Sequence, residues 1–404
     1  MRERGSLAIL VVAGIVFVAL CAALPSVWRG TAKVSDVPIY QRYGDAIEHG
    51  HVPYRDFRLE YPPGAVGAFA VPSLLTSGGR SYARAFAVEM MVFGLIAIGA
   101  GFVAFTALGV RRLRLAAALS PLAGAPVLLG PLVLTRFDLY PAAVTAAAVA
   151  LILAGRDRLG SGVLGAAIAV KLYPAVLVPL AVAWAWRRKG RREALIASGV
   201  CLGVALAVFL PFFALAPHGV VWSVRRQLDR PLQIESLGSA VLLALHHAAG
   251  MPLSWASSHG SQNLIGTVAV VAAAVTTAAQ VVALAYLWWR FAFRSTVSLA
   301  GLAESCAGAL FVFVALGKVL SPQFLVWLLP AGGLVAGRRF WPALALLVSS
   351  CALTRGWFPG RYWRLVFDFD VLASWLVLVR DLLLVGLLAL IFGLLTRFAP
   401  ARSP

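Results

Sequence analysis

Leu7-Ala-Ile-Leu-Val-Val-Ala-Gly-Ile-Val-Phe-Val-Ala-Leu-Cys-Ala-Ala-Leu24 runs without one charged or amide side chain. A helix needs about 20 such residues to cross the hydrocarbon core of a bilayer. The run follows Met1-Arg-Glu-Arg and is longer than the apolar region of a secretory signal. It therefore reads as an uncleaved first span, although Cys21-Ala-Ala resembles a cleavage site. Comparable runs recur along all 404 residues, of which 61% are hydrophobic. The mean hydropathy is +0.88, whereas a soluble domain is nearer half apolar. No polar stretch exceeds about 50 residues, which leaves no room for an independent soluble domain. The expected fold is an all-α polytopic membrane protein, one integral membrane domain over residues 1–404.

The net charge is +19 and the isoelectric point about 10.9. In a soluble chain such a balance suggests nucleic acid. Here the cations flank apolar runs, as cytoplasmic Lys and Arg do in membrane proteins. Clusters fall at Arg111-Arg112-Leu113-Arg114, Arg156-Asp157-Arg158, Arg187 to Arg192, Arg290 to Arg294 and Arg338-Arg339. Arg2, Arg4, Arg397 and Arg402 complete the set. All of them can face the cytoplasm if the spans between them come in even numbers.

That condition sets the topology. The first span leads to an outer loop, 26–81, in which Gly64 to Ser77 is too short to span and reads as an interfacial or re-entrant helix. Residues 82–108 return. Residues 115–134 go out and 138–154 come back. Residues 159–186 form a hairpin of two short helices broken near Lys171-Leu172-Tyr173-Pro174. Residues 194–214 lead to a second long outer loop, 215–262. Spans at 263–289, 297–317, 323–337 and 340–354 follow, and a last helix ends near Leu395, interrupted by Arg380-Asp381. The expectation is a bundle of about 10–12 transmembrane helices with both termini cytoplasmic. No repeat of the two halves is evident.

The outer loops carry the unusual chemistry. The first holds Asp36, Asp45, Glu48, Asp56 and Glu60 among aromatic and basic residues. Ile39 to His49 has the character of a helix lying on the membrane surface. Solvated ion pairs account for Asp45, Glu48 and Glu60. Asp36 differs, because it follows closely on the first span. A carboxylate held between a protein cavity and the headgroups can act as a general base. Pro62-Pro63-Gly64 stops one element and starts the next. His49-Gly-His51 and His246-His247 lack placed carboxylates, so neither metal nor other cofactor is expected. Cys21, Cys201, Cys306 and Cys351 lie in apolar runs and read as small core residues.

Three clusters set a cation beside an outer helix end: Arg136-Phe137-Asp138-Leu139-Tyr140-Pro141, Lys171-Leu172-Tyr173-Pro174 and Lys318-Val319-Leu320-Ser321-Pro322-Gln323-Phe324. A lysine in an apolar hairpin is costly unless it meets water, a carboxylate or a phosphate. Arg225 to Arg230, Arg355, Arg361 and Arg364 add positive charge. Cations gathered at the outer face suit an anion at headgroup level, and a lipid phosphate is the obvious one.

Taken in order, Asp36, Tyr54-Arg-Asp-Phe57, Tyr61-Pro-Pro-Gly64, Lys171-Leu-Tyr-Pro174 and Ser321-Pro-Gln323 resemble the GT-C membrane glycosyltransferases, and among them glycosyltransferase family 87, the polyprenyl-phosphate-mannose-dependent alpha-1,2-mannosyltransferases. The resemblance spans roughly residues 5–395 and rests on the order of motifs across the topology. It implies a GT-C-like bundle with Asp36 as the catalytic base. The donor is then a polyprenyl-phosphate-linked sugar, and the acceptor a glycan or glycolipid at the outer face of the cytoplasmic membrane. Lys171, Arg136 and Lys318 are the implied donor phosphate ligands. Asp45, Asp56, Glu60 and Tyr61 would hold acceptor or sugar hydroxyls. Mannolipid-forming members carry histidines after the late Ser-Pro segment, and Ser321-Pro322-Gln323-Phe324 does not, which leaves sugar and acceptor open.

Two other classes compete. A transporter or flippase of a lipid-linked sugar would use the same outer cations but also a polar path through the bilayer. Intramembrane charges are few: Glu89, Glu304 and Arg380-Asp381. A non-catalytic scaffold would tolerate loss of the Asp36 carboxylate.

Overall fold

The computed structural model describes residues 2–76 and 78–393. Arg397, Arg402 and the helix end expected near Leu395 lie outside the described residues, as does Ser77. The chain folds into two compact units, 1–230 and 231–404. Both are helical, and among the described residues five helices are long and apolar enough to cross a membrane: Arg4–Ala22, Gly79–Ala107, Arg191–Leu215, Thr267–Arg294 and Val371–Ile391. The other expected spans are built from shorter pieces.

The first unit opens with α1 (Arg2–Ala22), a turn of helix α2 (Pro25–Trp28), α3 (Val37–Glu48), α4 (Val66–Leu75) and the long α5 (Gly79–Ala107). The short helix expected in the first loop is α4, entered through a 3-10 turn at Pro63–Ala65. The single span expected over 115–134 is instead three helices: α6 (Arg112–Ala123), α7 (Ala125–Leu129) and α8 (Leu132–Thr135). Pro121, Pro126 and Pro131 each remove a helix donor, and Gly130 takes φ +64 between the last two pieces. Then come α9 (Leu139–Leu153), α10 (Asp157–Val170), α11 (Val178–Lys189), α12 (Arg191–Leu215) and α13 (Pro217–Leu228). The break expected in 159–186 falls where the sequence places it. α10 stops before Lys171, a 3-10 turn covers Tyr173–Leu177, and α11 runs back.

Ion pairs mark one end of this unit. Arg158 reaches Glu193 at 2.8 Å and Lys189 reaches Asp157 at 2.7 Å, so the starts of α10 and α12 and the end of α11 lie together. α12 runs parallel to α10, with Gly165 so close to the Cys201 carbonyl that a Cβ would not fit. α10 has 14 residues and reaches roughly 21 Å from that basic end at 1.5 Å per residue. α12, with 25 residues, continues roughly 12 Å beyond the level of Lys171. Lys171 is therefore sunk below the far end of α12.

The second unit holds α14 (Leu237–Ala249), an antiparallel hairpin of β1 (Ser254–Ser258) and β2 (Ser261–Ile265), α15 (Thr267–Trp289), α16 (Leu299–Ala315), α17 (Leu325–Gly332), α18 (Phe340–Trp357), α19 (Tyr362–Asp368) and α20 (Val371–Ile391). The long loop expected over 215–262 holds α13, α14 and this hairpin. Its hairpin turns on His259-Gly260, both with positive φ (+55 and +65), which matches the twist of the two strands. The span expected at 323–337 is shorter: α17 ends at Gly332, after Pro330 and before Gly333. α20 is continuous through Arg380-Asp381, against expectation. Both side chains are fully buried and paired with each other, so neither meets lipid. Glu304 of α16 is likewise paired, with Arg339 at 2.8 Å. All four cysteines are buried and free.

Candidate active site

The site is assembled where the first unit's helices stop short. Asp36 immediately precedes α3, and its Oδ2 forms an ion pair with Nη1 of Arg136. Arg136 lies in the extended step between α8 and α9, and its side chain is 9% exposed against 22% for Asp36. A second guanidinium nitrogen donates to the Val34 carbonyl at 2.7 Å. Val34 itself has φ +54, a conformation a β-branched residue adopts only where its surroundings impose it. The arginine thus holds both the carboxylate and the backbone that presents it. Tyr40, one turn into α3, points its hydroxyl to Asp36 Oδ2 at 3.4 Å. Burial, followed by the nearby Tyr61 and Asp138, pushes the Tyr40 phenol well above its ordinary range, so it stays protonated.

Two residues after Arg136 stands Asp138, wholly buried. Its Oδ1 accepts from Lys171 Nζ at 2.7 Å. Lys171 also lies 4.5 Å from the centre of the Phe137 ring, a cation–π contact in a dry setting. Arg136 and Arg230 both add positive charge around the lysine. Below them Tyr40, Tyr61, Phe69 and Phe137 form one aromatic block, with Tyr40 stacked on Phe69 at 4.7 Å and Tyr61 edge-on to Phe137 at 4.8 Å. The first loop is pinned over this block. Gly64 abuts the backbone of Ala169 and Val170, where an added Cβ would come within 2.7 Å. Tyr140 donates to the Gly64 carbonyl at 3.3 Å, and Tyr54 to the Tyr61 carbonyl at 2.6 Å.

Asp36, Arg136, Lys171 and Tyr61 are therefore brought together. Three other expected residues are occupied elsewhere. Asp45 accepts from Ser73 at 2.9 Å. Asp56 closes its own loop, accepting from Val52 N at 2.7 Å and pairing with Arg55. Glu60 pairs with Arg226 at 2.9 Å. Asp138 and Tyr40 are site residues that sequence reasoning quoted without giving them a role. The signal for Asp138 was its place two residues from Arg136 in a cluster already singled out.

Lys318 belongs to the second unit. It follows α16 and precedes a 3-10 turn at Pro322–Phe324. Its carbonyl accepts from Gln233 N at 3.0 Å, and the Gln233 side chain donates to Ser321 Oγ at 2.6 Å. The half-buried lysine lines a groove of about 650 Å³ along α15, with Ala274, Thr277 and Val281. Among the described residues no His, Cys, Asp or Glu group is placed to hold a metal ion.

The first-unit cluster sets the carboxylates of Asp36 and Asp138 against the cations of Arg136 and Lys171. It can place a carboxylate and a set of fixed positive charges around an anionic ligand.

No curated protein sequence matches the chain. Among solved structures, the crystal structure of ArnT from Cupriavidus metallidurans in the apo state is similar, at 16% identity over 93% of this chain and 76% of that one, with a TM-score of 0.47. The profile of glycosyltransferase family 87 matches residues 59–322, which takes in Arg136, Asp138, Lys171, Lys318 and Ser321 and leaves Asp36 upstream. That match covers about two thirds of the sequence, and the chain belongs to glycosyltransferase family 87.

Proposed function

We propose that this membrane glycosyltransferase moves a hexose, mannose being the first candidate, from a polyprenyl-phosphate donor to a glycan or glycolipid acceptor at the outer face of the cytoplasmic membrane. The observation that carries the reading is the Asp36–Arg136 ion pair beside the buried Asp138–Lys171 pair. A polyprenyl phosphate leaves without protonation, so the reaction needs one base and fixed positive charge, not a general acid. Asp36 takes the proton of the attacking hydroxyl. Arg136 and Lys171 stabilise the departing phosphate; Lys318, in the second unit, is a separate candidate for binding a lipid phosphate. Direct displacement inverts the anomeric centre.

The Asp36–Arg136 pair has a role in timing. A carboxylate tied to a guanidinium is a poor proton acceptor. A donor phosphate competing for Arg136 releases Asp36 as the donor binds. The base is then freed only when there is a leaving group to work on. Tyr40 and Tyr61 remain protonated and orient hydroxyls by donating.

The test is transfer from radiolabelled polyprenyl-phosphate-mannose in membranes, wild type against Asp36→Asn at matched expression. The expected loss is about 10²–10⁴-fold. Equal transfer by both would remove Asp36 from the chemistry. Transfer from another polyprenyl-phosphate sugar alone would keep the mechanism and change the substrate.

A further inference from the structure

Arg380 and Asp381 stand at the middle of α20, a helix long and apolar enough to cross the membrane. Both are 0% exposed. Arg380 Nε lies 2.6 Å from Asp381 Oδ1, and Arg380 Nη2 donates to the Glu235 carbonyl at 2.6 Å. Glu235 is itself buried, in the segment Pro231-Leu-Gln-Ile-Glu-Ser236 that joins α14 to the preceding chain.

That segment is a strap with two bonded edges. On one edge it runs along β2: Leu264 N donates to the Leu232 carbonyl at 2.9 Å and Ile234 N to the Gln262 carbonyl at 3.0 Å. On the other it meets the turn after α16, where Gln233 donates from its backbone to the Lys318 carbonyl and from its side chain to Ser321. Ser236 and Ser239 both donate to the Gln233 carbonyl, at 2.8 and 2.7 Å, which fixes the residue that makes these contacts. A chain of hydrogen bonds therefore leads from the guanidinium in the core of the unit to the lysine that lines the α15 groove.

An ion pair is a poor choice for packing. Apolar residues of similar volume serve a helix core as well or better, and a charge within a membrane span is costly. What an apolar pair cannot do is donate to the Glu235 carbonyl. An arginine can, and its planar fork holds the acid and the carbonyl at once.

We propose that Arg380–Asp381 is a positioning pair. Through the 231–236 strap it sets the Lys318–Gln323 turn, and so the cation offered to the donor phosphate. The phosphate role of Lys318 rests on the function proposed above; the positioning of the turn does not.

The test uses the full chain in nanodiscs. The variants are Arg380→Lys, which keeps the charge but not the fork, and the paired replacement Arg380→Met with Asp381→Leu, which removes both charges together. Lys318 is labelled with an amine reagent and read by mass spectrometry against Lys33, Lys171 and Lys189. The paired variant is expected to melt close to wild type, to change the Lys318 labelling rate at least about threefold with the other lysines unchanged, and to raise donor KM by roughly tenfold or more at unchanged acceptor KM. Arg380→Lys should lie between. Unaltered Lys318 labelling in a folded paired variant would overturn the proposal. If that variant does not fold, Gln233→Ala cuts the strap's side-chain bond to Ser321 without touching α20. The same labelling change is expected from it, and none would again overturn the proposal. A labelling change in a chain whose wild type transfers no sugar from the donor would uphold the positioning and overturn the donor reading instead.

Discussion

The break at Lys171 and the break at Lys318 are built alike and finished differently. In each, a helix that follows a basic cluster stops close to the lysine: α10, of 14 residues, ends at Val170, and α16, of 17, ends at Ala315, before Leu316-Gly317-Lys318. A proline-led 3-10 turn follows, at Tyr173–Leu177 and at Pro322–Phe324. A short helix then leads to another basic cluster, Arg187 to Arg192 or Arg338-Arg339. The difference lies in what meets the ammonium group. Lys171 is 16% exposed, bonded to a wholly buried carboxylate and capped by Phe137. Lys318 lines a groove along α15, and its backbone carbonyl accepts from Gln233. The first lysine is fixed by charge and the second by the chain that carries it. A fixed charge suits a site where a leaving group departs. A charge on a held backbone at the edge of an apolar groove suits capture of a lipid phosphate.

The sharpest way to break this comparison is at Asp138–Lys171. Lys171→Met strands a buried carboxylate and is expected to destabilise the first unit by about 3–5 kcal/mol. Pairing it with Asp138→Leu should restore most of that stability, because no unpaired charge remains. Transfer activity should stay at least about 100-fold down in both. Thermal unfolding in detergent and donor kinetics on the same preparations separate the two effects. Recovery of activity along with stability would make the pair structural only.

Lys318→Ala sharpens the comparison from the other side. The backbone bond from Gln233 to the Lys318 carbonyl survives the substitution, so the melting temperature should fall less than in Lys171→Met. Donor KM should rise roughly tenfold, with kcat less affected. A stability loss matching that of Lys171→Met would erase the distinction between the two breaks.

Both breaks were legible in the sequence, because a lysine, a few residues and a proline between apolar runs is a conspicuous interruption. The start of the short helix in the first loop was legible too, through Pro62-Pro63-Gly64. What met each lysine was not. Asp138 lies 33 residues from Lys171 and Gln233 lies 88 from Ser321, and periodicity carries no information on such pairings. The hairpin at 254–265 escaped because Ser-rich strands lack the alternating apolar pattern that marks a half-buried sheet. The continuity of α20 escaped for a related reason. Arg380-Asp381 looks like a break until a buried carbonyl from residue 235 is found to satisfy it.

The smallest expected effect falls on Asp56, the carboxylate of the first loop most unlike Asp36. Asp36 is tied to an arginine 100 residues away, whereas Asp56 is tied to its neighbour Arg55 and to the Val52 amide. Its hydrogen bond with Arg55, then that with Val52, holds its carboxyl down at about 2 from an ordinary 3.8. A depressed folded-state pKa means that the stabilisation is present above about pH 4 and is lost as the pH falls toward 2. Between pH 5 and 8 the carboxylate is ionised throughout, so it should contribute no pH dependence to transfer. Asp56→Asn is therefore expected to alter kcat/KM by less than about twofold, since an exposed ion pair contributes little. A loss comparable to that of Asp36→Asn would mean that the 52–57 turn reaches the acceptor after all. The active carboxylates would then be chosen by their place in the first loop, and no longer by burial against a distant cation.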